Sequence, residues 1–201
     1  MKGCNCKCSY CIVPSVRGRE VCRSAKEIVQ QVQGLVEKGI KEVMFLGQNV
    51  ASYRDPLYGD ATIQAIPGTG NQPRSLAALI RLIASETNVE RIRFTSPHPR
   101  DFESTLIKAY AEVPKLCSHV HFPIQSGSTS MLKRMRRGYT REHLFKVIAE
   151  LRRARPNIAI STDIIVGFPG ETLEEFAQTL SMVEQVGFDS IFAFAYSDRP
   201  G

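Results

Sequence analysis

The stretch Ile158-Ala159-Ile160-Ser161-Thr162-Asp163-Ile164-Ile165-Val166-Gly167-Phe168-Pro169-Gly170-Glu171-Thr172 holds the repeating unit of the fold. Residues 158–166 read as a buried strand, rich in β-branched side chains and of strand length. A glycine-rich turn follows, and Thr172 with Glu175 forms a capping box that opens a helix. That helix carries Phe176, Leu180 and Val183 and ends at Gly187, after which residues 191–195 read as another strand. A strand, a helical crossover and a second strand form the unit of a parallel sheet.

The same order extends toward the N-terminus. Ser24 and Glu27 make a second capping box, and Ile28, Val29, Val32, Leu35 and Val36 lay an apolar stripe that Gly39 stops. Residues 43–46 are a continuous apolar run, followed by a polar loop over residues 48–73. That loop is much longer than an ordinary strand-to-helix connection. A helix carrying Leu76, Leu79, Ile80 and Ile83 leads to a strand at 91–95. A third helix is predicted to start near Asp101, with Leu106, Ile107 and Tyr110 facing inward. The strand at 120–124 contains Pro123 and so should be irregular or end there. Helical pieces at 128–135 and 140–155 complete the series. The fold class is therefore α/β with parallel strands, as a barrel or a doubly wound sheet.

The 201 residues suit one domain with a real core, and no apolar run reaches membrane-spanning length. The net charge of +6 permits an acidic partner such as RNA without requiring one. Four of the six cysteines lie in Gly3-Cys4-Asn5-Cys6-Lys7-Cys8-Ser9-Tyr10-Cys11, with no secretory signal before them. Crowding in one loop, rather than spreading as a disulfide framework, points to a reducing interior and a cytoplasmic protein, or an organellar one in a eukaryote. Cys22 and Cys117 are expected to be buried apolar residues. Two readings of the loop remain open. Cys4, Cys8 and Cys11 can ligate three irons of a [4Fe–4S] cluster, or all four thiols can bind one zinc in a closed structural site. Closed zinc sites usually draw on two separated pairs, so the one-sided spacing favours the cluster.

Five polar or glycine-rich segments follow the predicted strands: Gly47-Gln48-Asn49, Ser96-Pro97-His98, Gln125-Ser126-Gly127, Gly167 to Glu171, and Tyr196-Ser197. Ligands bind at the C-terminal ends of parallel strands, so these segments and the cysteine loop are expected to share one face.

Cys4-x3-Cys8-x2-Cys11, with an aromatic before the third cysteine, resembles the signature of radical S-adenosylmethionine (SAM) enzymes. Leu46-Gly47-Gln48-Asn49-Val50, Gln125-Ser126-Gly127-Ser128, Met135-Arg136-Arg137-Gly138-Tyr139-Thr140 and the 163–172 segment resemble the methylthiotransferases within that group. The similarity runs through essentially the whole chain. It is nearest to the MiaB-like tRNA branch, which methylthiolates isopentenylated adenosine beside the anticodon. Sister branches act on threonylcarbamoyl-adenosine in tRNA or on a ribosomal protein. A reading of another class is a non-catalytic zinc-binding RNA module or an inactive truncated remnant.

The resemblance implies a partial parallel (β/α) barrel of the radical SAM type, with the first strand largely missing. Residues 1–201 are expected to be the radical SAM core alone, without the N-terminal auxiliary-cluster domain and C-terminal RNA-binding barrel of the family. It further implies a [4Fe–4S] cluster on Cys4, Cys8 and Cys11, with S-adenosyl-L-methionine on the open iron. Tyr10 should pack near the adenine of SAM, and Gly47, Gln48 and Asn49 should meet its methionine moiety. Gln125 and Ser126 should contact its ribose or carboxylate, and Arg137 should pair with the carboxylate. Asp163, Gly167 and Glu171 complete the implied cofactor set, and His98 is expected to face the substrate adenine. Cys6 is an additional thiol that a three-ligand loop does not need. Implied partners are tRNA and an electron donor such as flavodoxin or ferredoxin, with no membrane.

Overall fold

The computed structural model describes residues 1–56 and 75–199, so most of the long loop expected over 48–73 lies outside the described residues. The helices are α1 (Val13–Arg17), α2 (Ala25–Glu37), α3 (Leu76–Glu86), α4 (Ser104–Glu112), α5 (Thr129–Arg134), α6 (Arg141–Ala154) and α7 (Leu173–Val186). The strands are β1 (Glu42–Phe45), β2 (Arg91–Phe94), β3 (His119–His121), β4 (Ala159–Val166) and β5 (Ser190–Ala195). Both capping boxes form: Ser24 and Thr172 each accept from the backbone N–H three residues on, and Glu27 and Glu175 reach back.

All named strands pair in parallel. β1 lies on β2 with Val43 opposite Ile92, and β4 lies between β3 and β5, in register from Ser161–Ser190 to Val166–Ala195. β2 joins the second group just before β3: the Ile92 N–H donates to the Lys115 carbonyl at 2.8 Å, and the Cys117 N–H donates to the Ile92 carbonyl at 3.0 Å. The strands thus follow one another in a single arc, a partial (β/α) barrel. Ile80, Ile83, Ile92, Tyr110, Leu116 and Phe122 are fully buried in one continuous core. Each such apolar side chain stabilises the fold by about 2 kcal/mol.

Three expectations change. The helix expected near Asp101 begins at Ser104 instead, behind a 3-10 turn at Pro99–Asp101. Pro99 holds His98 extended and so delays the helix. In α7 the buried face is Glu175, Thr179, Met182 and Val186, while Leu180 is exposed. The reason is the turn before α5. Gly127 approaches so closely that a Cβ there would stand 2.7 Å from Thr179 Cα, and its N–H donates to Thr179 Oγ1 at 3.0 Å. A larger apolar side chain has no room at that contact. Cys22 and Cys117, expected to be buried, are half-buried.

Candidate metal centre

The cysteine loop hangs between two anchors. At one end Lys2 and Val21 form an antiparallel bridge, and the Cys4 N–H donates to the Gly18 carbonyl at 3.1 Å. Gly3 has φ +70°, and a Cβ there would stand 2.1 Å from the Arg19 carbonyl oxygen, so only glycine fits. At the other end the Ser9 N–H and hydroxyl donate to the Met135 and Arg134 carbonyls, at the end of α5. A turn closed from the Cys11 N–H to the Cys8 carbonyl sets the last two thiols near each other in sequence and space.

The four loop thiols line one cavity of about 80 Å³. Tyr10, Gln48, His98 and Arg137 line it with them. Cys4, Cys8 and Cys11 are half-buried, Cys6 is buried, and all six cysteines are free. Cys6 sits in the wall, where its sulfur accepts from Arg100 Nη2 at 3.6 Å and Asn49 Nδ2 at 3.9 Å. Burial, and then the neighbouring Cys4, push its thiol up to about 12.

Arg137 is buried, not part of a solvated helix face. Left-handed backbone at Arg136 (φ 55°) and Gly138 (φ 70°) turns it inward after α5. Its Nε donates to Tyr139 Oη at 2.9 Å and its Nη2 to the Pro123 carbonyl at 2.8 Å. Nη1 is then directed to Cys8 Sγ and Tyr10 Oη, each at 3.3 Å. A guanidinium fixed in this way offsets negative charge in the cavity. Tyr139, which sequence reasoning passed over, itself donates to the Ile124 carbonyl at 2.9 Å and so holds the arginine in place. Burial raises the Tyr139 phenol to about 12, which keeps it neutral.

A second cavity, of about 440 Å³, opens beside the first and is lined by Tyr10, Gln125, Asp163, Phe194, Tyr196 and Arg199, among others. Tyr10 lines both, and it stands edge-on to Phe168 with ring centroids 6.5 Å apart. Gln125 has φ 71°, and Ser96 has φ 55°; together with Arg136 they are the non-glycine residues of positive φ among the described residues. Backbone strain of this kind gathers at functional sites. The carboxylate of Asp163 is half-buried, and His121 Nε2 is 3.1 Å from it. His121 Nδ1 in turn meets Ser161 Oγ at 3.0 Å.

Other predicted site residues line neither cavity. Ser126 is fully buried and bonded to Thr179 Oγ1 and the Ser128 N–H, where it shapes the turn against α7. Asn49 staples two loops: its Nδ2 donates to Asp101 Oδ2 at 2.7 Å, and its Oδ1 accepts from the His98 N–H at 2.9 Å. At Gly47 a Cβ would stand 2.5 Å from Met1 Cγ. Gly167 donates its N–H to Glu171 Oε2 at 2.6 Å, so these two close their own turn, while Glu171 Oε1 is buried without a partner among the described residues. A further cavity of about 250 Å³, between α2, β1 and α3, is mainly apolar and contains none of the predicted site residues.

The model of the radical SAM superfamily matches residues 1–183. The chain belongs to that superfamily. Among curated proteins, the tRNA-2-methylthio-N(6)-dimethylallyladenosine synthase of Geobacter metallireducens is 50% identical over 200 residues, which are 100% of this chain and 42% of that protein. The synthase of the same name from Clostridium novyi is 48% identical over 100% of this chain and 42% of its own length. This radical SAM chain therefore spans 42% of the length of these relatives. Two solved structures share the fold. The Streptococcus suis protein SuiB, bound to S-adenosylmethionine, gives a TM-score of 0.61 at 11% identity over 98% of this chain and 37% of its own. Coproporphyrinogen III oxidase (HemN) from Escherichia coli gives 0.58 at 18% identity over 100% of this chain and 43% of its own.

Radical SAM enzymes use a [4Fe–4S] cluster and S-adenosylmethionine. Among the described residues no three His, Cys, Asp or Glu side chains are already grouped to hold a metal ion. The donor chemistry nonetheless fits a cluster. Half-buried thiols of one loop share a cavity with a fixed arginine, and a buried imidazole nitrogen of His98 in the same wall has no partner. Metal-binding loops commonly complete their geometry only when the metal arrives.

Proposed function

We propose that the chain is the radical SAM core of a tRNA methylthiotransferase acting on carbon 2 of isopentenylated adenosine. The observation that carries this reading is the 50% identity over the whole chain to a synthase of that name, combined with the thiol-lined cavity. In this reading Cys4, Cys8 and Cys11 hold the cluster, and Cys6, already engaged by Arg100 and Asn49, does not. When bound, the cluster and SAM supply an electron and a carbon-centred radical able to remove a hydrogen atom from an unactivated carbon.

The chain's own residues bind, orient and shield. Arg137 offsets the negative charge of the sulfur-rich cavity and fixes Tyr10 through its phenol oxygen. Tyr10 separates the cysteine cavity from the larger one, and Gln125 and Asp163 present polar groups to that larger space for SAM. His121 orients the Asp163 carboxylate from behind. The proposed partners are a tRNA substrate and a one-electron donor of the flavodoxin or ferredoxin kind. Among the described residues no helix is long and apolar enough to cross a membrane.

The test is to express the full reading frame that contains this chain in a bacterium lacking its own methylthiotransferase, and to analyse digested tRNA by mass spectrometry. Methylthiolated isopentenyl-adenosine is the expected product, and it should vanish in Cys8→Ala. Unmodified isopentenyl-adenosine with the intact sequence would contradict the assignment.

A further inference from the structure

His98 lines the cysteine cavity. It is buried, its own N–H is tied to Asn49 Oδ1 at 2.9 Å, and its ring stands edge-on to Tyr139 with centroids 5.5 Å apart. Its Nδ1 accepts a hydrogen bond from the Arg100 N–H at 3.3 Å, capping the 3-10 turn. An Nδ1 that accepts has its lone pair engaged, so the ring proton is on Nε2. Burial, then Arg137 and Arg100, lower the imidazole to about 3, which leaves it neutral near pH 7. Nε2 is therefore an N–H donor and not a free lone pair. It has no partner among the described residues, and the residue lines the cysteine cavity.

Among the described residues no carboxylate lines that cavity, so an anionic acceptor there is a sulfur or a ligand. A buried donor left unpaired is destabilising, so the position makes sense if an acceptor arrives. We infer that the Nε2–H of His98 donates a hydrogen bond to a sulfur of the cluster held by the cysteine loop and raises its reduction potential. The inference rests on the cluster reading of that loop, and it moves His98 from the substrate adenine, where the family resemblance put it, to the cofactor. The physical basis is that hydrogen bonds to cluster sulfurs stabilise the more negative, reduced state.

The experiment is a redox titration, followed by EPR, of the anaerobically reconstituted chain without SAM. His98→Asn keeps an oxygen where Nδ1 accepts and removes the far donor. The expected result is unchanged iron content and about a tenfold loss in the reduction equilibrium, ~59 mV for one electron. An unchanged potential would make His98 a turn cap only, loss of iron would make it a ligand, and a shift seen only with SAM would assign its donor to SAM; each overturns the proposal. Pulsed EPR of the unsubstituted chain, with histidine labelled in the ring nitrogens, gives an answer that does not depend on the variant folding. A weak nitrogen coupling supports the hydrogen bond, whereas a ligand-sized coupling or none refutes it. If the unsubstituted chain takes up no iron–sulfur cluster, the parent reading fails first and visibly, and this one with it.

Discussion

The two cavities that meet at Tyr10 are walled differently. The smaller has two buried polar side chains in its wall, beside the half-buried thiols: Arg137, held by Tyr139 and Pro123, and His98, held by Asn49 and Arg100. The larger is bounded, Gln125 apart, by half-buried or exposed groups, among them Asp163 and Phe194 of β5, which is 53% exposed. Fixed, buried polar groups suit a ligand whose electronic properties must be set, because low dielectric strengthens each hydrogen bond and penalises each unpaired one. An open wall suits a molecule that must enter and leave. In the proposed function the tied-down side holds the cluster and the open side admits SAM.

The largest effect should come from the thiols. Replacing Cys4, Cys8 or Cys11 by alanine is expected to remove essentially all cluster iron and sulfide, while Cys6→Ala keeps both, as measured by chemical analysis and the visible spectrum. Cluster loss in Cys6→Ala, or retention in Cys8→Ala, would break the proposed division of the loop. Next is Arg137→Ala, which takes the donor from the Pro123 carbonyl and leaves a void beside Tyr139. A loss of about 3 kcal/mol is expected, read as a lower urea midpoint. A variant as stable as the parent would mean that the small cavity is not rigid.

Asp163→Ala tests the open side. SAM affinity should drop about tenfold, ~1.4 kcal/mol, with little change in the urea midpoint, whereas Lys146→Ala on the exposed face of α6 should change neither. Equal effects of the two on SAM would remove the reason for placing SAM beside Asp163. The smallest effect is a pH dependence without cluster. His98 has a folded value of about 3 against an ordinary 6.5, so the unfolded chain takes up the proton more readily. Its contribution to stability is full above pH 6.5 and is lost as pH falls toward 3. Thermal melts across that window should show the parent losing stability relative to His98→Asn; parallel curves would mean that the imidazole is not held neutral.

Much of the scaffold was legible in the sequence because it is local. The two capping boxes, the stripe of α3 and the strand at β4 follow from periodicity and end signals alone, and the structure reproduces them. The buried face of α7 was not legible, since Thr179 is chosen by a contact with Gly127 that lies 52 residues away in sequence. The cysteine loop reads as a metal-type site from its spacing, and the structure places Tyr10, Gln48, Arg137 and His98 around the cavity that its thiols line. Asn49 and Ser126 stood in the right segments, but their side chains turn to loop–loop and loop–helix bonds, which no one-dimensional pattern encodes. Tyr139 and Asp101 were missed for the same reason. Their roles appear only when loops after different strands come together.

The most direct measurement is the EPR spectrum of the anaerobically reconstituted, reduced chain before and after adding SAM. The expected result is a paramagnetic reduced cluster whose signal changes on SAM binding, with 5′-deoxyadenosine appearing in the same sample. A chain that binds zinc and gives no signal, or a cluster signal that SAM leaves unchanged, would contradict it.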